Sequence, residues 1–170
     1  MLINDGDLTY AKIRFDDRSI ETLKKDLGKI KDSLTRSLCW SAAWDMARDA
    51  EISASDFVDI AIAGLAGESE VTTVTGLGFQ LTTTVELYAH PSHRDALRSK
   101  LADACAGFLA AAAPGSDHQL QFAKMFTSFA ASPEHIERIK ALLDGKLPGL
   151  TVDADLRWFF VLALTDPETL

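Results

Sequence analysis

The sequence has little positive charge. It contains 17 lysine and arginine residues against 25 aspartate and glutamate residues, and its formal net charge is −8 at pH 7. The basic residues are scattered, and no basic run is longer than Lys24-Lys25. Nucleic acids and anionic membrane surfaces are bound by clustered lysine and arginine. The sequence therefore argues against both as partners.

Cysteine and long apolar runs are also scarce. Cys39 and Cys105 both lie in apolar helical patterns, which favours buried free thiols in a reducing compartment over a disulfide. The longest apolar run, Trp158–Leu164, is far shorter than the roughly 20 residues of a membrane-spanning helix. The start of the chain turns polar and acidic at once, unlike a signal peptide. We therefore expect a cytoplasmic protein.

Motifs that carry chemistry are missing as well. The sequence contains no HExxH, GxSxG, GxGxxG or GxxxxGK[ST] motif. It therefore gives no sign of a zinc protease site, the nucleophile elbow of an α/β-hydrolase or a phosphate-binding loop. Of its four histidines, His90 and His93 flank a proline, and zinc-binding pairs on a helix need a spacing of four. We interpret these two and His118 as surface residues. The sequence predicts no catalytic, cofactor-binding or metal-binding residue.

Helical periodicity is what the sequence does have. Apolar residues recur every three to four positions in about eight segments separated by short polar breaks. The segments centre near residues 23, 41, 60, 80, 102, 124, 138 and 159. Taken as antiparallel pairs they repeat at roughly 35–40 residues, close to HEAT-like repeats. This predicts an all-α fold, an irregular α-solenoid of HEAT-like helix pairs; a compact bundle is the alternative.

Two segments need separate treatment. Glu70–Ala89 is rich in threonine and valine, which favour strands, yet its apolar residues keep a helical spacing, and we predict a helix. Leu8–Phe15 alternates like a β-strand. A lone strand cannot satisfy its backbone hydrogen bonds. This segment therefore either pairs with a strand outside the sequence or docks as an extended arm.

The strongest helical signal is Asp32–Glu51, which has apolar side chains around most of its circumference. An ordinary surface helix has a wide polar face, so this helix is expected to be buried on two sides. Arg36 lies on an apolar side and is expected either to extend its charged end to solvent or to pair with a carboxylate of the next helix, rather than to bind a ligand. The remaining polar side chains form a narrow stripe, here called the polar stripe: Ser37, Ser41, Asp45 and Arg48.

The polar stripe has two interpretations. It is either a hydrogen-bonded seam between helices or a line of side chains that faces a ligand cavity. Asp45 and Arg48 are three residues apart and can pair on one helix face in either case.

Several separated segments resemble one family in order and spacing. NDGDLTYAKIRFD, SLCWSAAWDMARDAE, PGSDHQLQFAKMF and DADLRW resemble the C-terminal region of actinobacterial members of the aminopeptidase N family, the zinc-dependent family that includes membrane alanyl aminopeptidase. In that family a strand like Leu8–Asp16 closes a small β-sandwich domain, and an irregular α-solenoid follows. The solenoid covers the catalytic domain and encloses the substrate cavity. The zinc motif HExxH and the exopeptidase motif GxMEN of the family do not occur here, so no catalytic or metal residue is carried over.

The resemblance implies a role and a domain organisation. Residues 1–16 would be an arm left from a preceding β-sandwich domain. Residues 17–170 would be a helical solenoid domain truncated at its C-terminus, because Thr165–Leu170 resembles the start of another helix. The chain would be a non-catalytic cap that encloses the peptide chamber of a zinc aminopeptidase.

The partners follow from this role. They would be the catalytic and β-sandwich domains of the same parent chain, together with its peptide substrates. Zinc would belong to the parent enzyme, and this part alone would be inactive. The polar stripe would lie on the concave side of the solenoid, toward the cavity. The alternative function is a free-standing α-solenoid scaffold that binds a protein partner.

Overall fold

The computed structural model describes residues 3–165, and within them the chain is built from helices. This confirms the all-α class and the expected number of about eight helices. Between these positions there are eight α-helices: α1 Asp17–Asp26, α2 Ser33–Arg48, α3 Ala54–Leu65, α4 Val71–Thr83, α5 Pro91–Ala111, α6 Asp117–Ser128, α7 Pro133–Leu143 and α8 Ala154–Thr165. The chain divides between Pro91 and Ser92 into two compact units. The solenoid arrangement of the helix pairs stays a prediction.

Most helices begin where a short polar side chain accepts a hydrogen bond from a first-turn amide. These N-cap residues are Asp16, Asp32, Ser53, Ser116 and Ser132. At α3 the cap is reciprocal, because Asp56 in turn accepts from the Ser53 backbone N–H. Such caps satisfy amides that have no partner inside the helix. These caps lie in the short polar breaks between the helical segments of the sequence.

The threonine-rich segment Glu70–Ala89 is helical, as its periodicity predicted. α4 is followed by a π-helical turn, Thr84–Tyr88, which closes with the Ala89 N–H donating to the Thr84 carbonyl at 2.8 Å. Within this segment several threonine hydroxyls donate to the carbonyl four residues earlier, for example Thr84 to Gln80 at 2.7 Å. The hydroxyls are thereby satisfied inside the helix, so β-branched side chains do not prevent helix formation here.

In the first unit α1 and α2 pack on α3. The fully buried side chains at their contact include Leu27, Phe57 and Ile60. Close approach of the backbones requires glycine: a β-carbon at Gly28 would lie 2.8 Å from the Ala63 carbonyl oxygen. Gly28 lies in the 3₁₀ turn Leu27–Lys29 that follows α1. The structure shows that it lets the 3₁₀ turn after α1 touch α3.

In the second unit α6 and α7 pack on α8. Its core includes Leu101, Phe126, Ile139 and Phe160, each almost without exposed surface. The buried side chain of Gln119 joins two turns of this unit. Its Oε1 accepts from the Gly115 N–H at 2.9 Å, and its Nε2 donates to the Pro148 carbonyl at 3.0 Å.

The alternating segment Leu8–Phe15 has no strand partner within the described residues. No strand forms between residues 3 and 165, because a ladder needs a second edge and the described chain offers none. The segment lies here as an extended arm, and its pairing with a strand outside the sequence stays a prediction. It follows a turn at positions 3–6 and leads directly into α1.

Two further observations complete the fold. No helix in the described part of the chain combines the length and apolar character needed to cross a membrane. The predicted helix start at Thr165–Leu170 lies outside the described residues, apart from Thr165, which ends α8.

Candidate functional site

The polar stripe lies along α2 with its side chains accessible. Ser41 and Arg48 are exposed, and Ser37 and Asp45 are half-buried. Arg48 Nη2 donates to Asp45 Oδ1 at 2.8 Å, which confirms the predicted pair. The side chains of Arg48 and Asp45 are 45% and 27% exposed, so a ligand can reach both. Whether the stripe faces a substrate cavity stays a prediction.

An aromatic cluster borders the polar stripe. Trp44, on the same helix, is half-buried, and its ring centroid lies 5.5 Å from that of Phe57 and 5.8 Å from that of Tyr88. Tyr88 is 40% exposed. The stripe therefore combines hydroxyls and an ion pair with a partly accessible aromatic surface, a composition common where proteins bind peptides.

Beyond the last residue of α2 lies a second charged group, which we call the clasp: Lys12, Arg14, Asp49 and Glu51. Asp49 Oδ2 accepts from Lys12 Nζ at 2.6 Å and from Arg14 Nη2 at 2.5 Å, and Arg14 Nε also contacts Glu51. The hydrogen bond from Lys12 and the nearby positive charges hold the pKa of the Asp49 carboxyl below its usual range. The clasp fastens the arm to the end of α2.

Near the start of α2, Arg36 forms a buried ion pair with Glu68, which lies between α3 and α4. Nε and Nη2 donate to the two carboxylate oxygens at 3.0 and 2.9 Å. Nη1 donates to the carbonyls of Ile30 and Lys31 at 2.9 and 3.0 Å. The two side chains are only 5% and 0% exposed, so this group is structural. The expected carboxylate partner is confirmed, although it comes from a loop rather than from a helix.

Burial and hydrogen bonding act in opposite directions on Glu68. Burial raises its pKa, but the hydrogen bonds from Arg36 and from the Glu70 amide outweigh burial and leave the pKa below its usual range. The hydrogen bond to Glu68 raises the pKa of Arg36. Both groups are therefore charged at neutral pH.

The histidines are not gathered into a metal site. His90 and His93 are exposed, as predicted, whereas His118 is half-buried beside Phe122. In residues 3–165 no three histidine, cysteine, aspartate or glutamate side chains come together as a metal ion requires. The described side chains thus do not fit the zinc that the resemblance implies for a parent enzyme, and no catalytic step is assigned to them.

His135 has a contact that the sequence did not predict. Its Nδ1 accepts from the Ala131 N–H at 3.2 Å, so the proton lies on Nε2, which is 3.1 Å from Asp103 Oδ1. The buried ring thereby joins α5 to the start of α7. Asp103 and His135 are 32 residues apart, and no local pattern connects them.

Comparisons with known proteins place the chain in one family. A family model described as the ERAP1-like C-terminal domain matches residues 1–166. Aminopeptidase N of Streptomyces lividans is 42% identical over 166 residues, which are 96% of this chain and 19% of that protein. The chain thus spans about a fifth of the length of that relative.

Proposed function

The chain belongs to the family of ERAP1-like C-terminal domains, and from this premise we propose that it is the non-catalytic helical domain of a zinc-dependent aminopeptidase. In this role it encloses the chamber in which an upstream catalytic domain removes N-terminal residues from peptides. The observation that carries the proposal is 42% identity to an aminopeptidase N over nearly the whole chain. Zinc belongs to the catalytic domain, where it would activate the attacking water.

The arm and the polar stripe receive specific roles in this proposal. Residues 1–16 would complete a preceding β-sandwich domain, which is consistent with an extended segment whose Leu8 and Tyr10 side chains are 88% and 108% exposed. The polar stripe on α2 would face the chamber and contact peptides. We further propose a cytoplasmic location, which is supported by two buried cysteines that are both free.

The first test asks whether the chain by itself has aminopeptidase activity. The purified chain is assayed on aminoacyl-anilides with added zinc, and we expect no turnover. Robust turnover would overturn the proposal. The reading frame of the gene supplies an independent control: coding sequence with HExxH upstream supports the parent aminopeptidase, whereas a frame confined to these 170 residues supports a free-standing scaffold.

The second test concerns the polar stripe. In the aminopeptidase that contains this chain, Ser41→Arg places a bulky charge on the stripe, and we expect KM to rise for long peptides. A short aminoacyl-anilide should be unaffected, because it does not extend to the chamber wall. Ser55→Arg is the matched control, since Ser55 is an exposed serine on α3. Equal effects of the two variants on long peptides would contradict the stripe's role.

A further inference from the structure

Trp44 lies on the accessible face of α2, among the side chains of the polar stripe. Four side chains share this face at spacings of four, three and four residues: Ser37, Ser41, Trp44 and Arg48. Such spacings place side chains on one side of an α-helix. One turn earlier, Trp40 is only 2% exposed, whereas Trp44 is half-buried. The core therefore encloses the first tryptophan ring and leaves part of the second open.

The ring of Trp44 is held between two other rings. Phe57, on α3, is fully buried, and its ring centroid lies 5.5 Å from that of Trp44 with the planes at 51°. Tyr88 lies 5.8 Å away at 31° and is 40% exposed. Aromatic rings attract each other at these separations. Phe57 thus anchors an accessible surface of two rings, which we call the aromatic platform: Trp44 and Tyr88.

The position of Tyr88 is set by the π-helical turn Thr84–Tyr88. The Ala89 N–H donates to the Thr84 carbonyl at 2.8 Å, one residue further back than in an α-helix. Thr84 is fully buried, and the turn packs on both α2 and α3. Single π-helical turns are rare and occur frequently at functional sites. Here the turn ends with Tyr88 in the aromatic platform.

Polar groups suited to a peptide backbone lie beside the aromatic platform. The hydroxyl of Ser41 is exposed and can donate or accept a hydrogen bond. Arg48 uses Nη2 on Asp45, and its guanidinium carries further N–H donors. Arg48 and Asp45 offset each other's charge, so the face gives a charged ligand no net attraction. This chemistry fits an uncharged aromatic side chain with its neighbouring peptide groups.

We propose that the aromatic platform binds an aromatic side chain of a peptide, while Ser41 and Arg48 contact the backbone on either side of that residue. Binding itself is a property of this chain. The identification of the peptide as a substrate rests on the proposed function. In the parent aminopeptidase the platform would then favour substrates with an aromatic residue at a fixed distance from the residue that is removed, so Trp44 and Tyr88 would determine specificity.

The first experiment measures peptide binding to the purified chain by NMR, through the indole N–H signals of its three tryptophans. Two end-blocked peptides that differ at one position are titrated: Gly-Ser-Gly-Phe-Gly-Ser and Gly-Ser-Gly-Ala-Gly-Ser. We expect the phenylalanine peptide to bind about tenfold more tightly, through ring stacking and burial. It should shift the signal of Trp44 and leave that of Trp158, which is 66% exposed on α8, unchanged.

Variants assign the preference to the platform. Trp44→Ala and Tyr88→Ala should each reduce the preference for the phenylalanine peptide, and Tyr88→Phe should keep it because the ring remains. Tyr88→Ala changes the more accessible ring, so it tests the inference even where Trp44→Ala impairs folding. Trp158→Ala is the matched control, since it removes an exposed tryptophan from another helix and should leave the affinity for both peptides unchanged. Circular dichroism verifies the helical content of every variant.

The second experiment uses the aminopeptidase that contains this chain. Peptides with one phenylalanine moved stepwise from the N-terminus should show a lower KM at one inner position, and Tyr88→Ala should remove this minimum. The rate on a short aminoacyl-anilide should stay unchanged, because such a substrate has no inner residue.

Two binding results would overturn the inference. One is equal affinity of the wild-type chain for both peptides. The other is a preference for phenylalanine that survives in both folded alanine variants. Neither depends on aminopeptidase activity. Conversely, a chain that prefers the phenylalanine peptide but is encoded without an upstream catalytic domain would refute the proposed function and support the aromatic platform as a peptide site.

Discussion

The two ends of α2 are tied to the rest of the first unit by ion pairs of opposite character. Near its start, Arg36 and Glu68 are buried and bonded to each other through two hydrogen bonds. Past its end, the clasp around Asp49 is exposed and shares one carboxylate oxygen between Lys12 and Arg14. Pairs of arginine and carboxylate side chains therefore occur in a buried and in an exposed environment along one helix.

The two groups of ion pairs differ in their exposure to solvent. A buried pair lacks water as a competitor, and the loss of one partner leaves a charge with nothing to solvate it. Arg36 also donates hydrogen bonds to the loop carbonyls of Ile30 and Lys31. It therefore holds both Glu68 and the connection between α1 and α2 in place. An exposed pair exchanges its partner for water at low cost. The loss of a partner is therefore costly at the buried pair and cheap at the clasp.

The largest effect is expected from breaking the buried tie. Arg36→Met should lower the free energy of unfolding by about 3–5 kcal/mol, because the charge of Glu68 would stay buried without the guanidinium that neutralises it. Urea unfolding measures this change. Replacing both partners, by Arg36→Met with Glu68→Leu, is the control and should recover part of the loss. If Arg36→Met were as stable as the wild type, the buried ion pair would contribute no more to stability than the exposed clasp.

Acid should weaken the same tie. The pKa of Glu68 is lower in the folded chain than its ordinary value, which is about 4.3 in unfolded peptides. Glu68 therefore stabilises the fold fully above the unfolded pKa and loses this contribution as the pH falls through the folded pKa. Urea unfolding between about pH 5 and pH 3 should show a smaller pH dependence in Glu68→Gln than in the wild type.

The control for this acid effect is Asp49→Asn. The pKa of Asp49 is also lowered, so this variant should reduce the pH dependence too, but by less, because its exposed pairs are weaker. A larger reduction in Asp49→Asn than in Glu68→Gln would reverse the order of the two ties.

The smallest effect on global stability is expected at the clasp. Asp49→Asn should lower the free energy of unfolding at low salt by much less than Arg36→Met does, because its partners are exposed. The difference from the wild type should disappear at about 1 M salt, where the screening length is near 3 Å. Urea unfolding at both salt concentrations measures it. A cost that persists at high salt would show that Asp49 acts through its position at the end of α2 rather than through its charge.

Local patterns were sufficient to predict most helices. The caps at Asp32 and Ser53 and the proline at the first turn of α7 act through neighbouring residues only, so the sequence contains all the information they need. The pair of Asp45 and Arg48 was predictable for the same reason. The π-helical turn after α4 was not, because no short-range pattern in the sequence marked it.

Contacts between distant residues could not be predicted in the same way. The sequence indicated that Arg36 needs a carboxylate but could not choose Glu68, which is 32 residues away. The sequence allowed two interpretations of the alternating segment Leu8–Phe15: a strand that pairs outside the sequence, or an extended arm that docks on the helices. The described residues contain no partner strand for this segment, and its basic side chains pair with Asp49 and Glu51 beyond the end of α2.

The sequence by itself determined that the chain is helical, where most helices begin, and that α2 carries a narrow polar stripe between apolar sides. These properties depend on side-chain chemistry within one or two helical turns. Only the tertiary structure decided which charges are buried and which are open to water. The environment of Arg36 and that of Arg14 differ because other segments fold over one and not the other, and this difference makes the first ion pair costly to break and the second cheap to break.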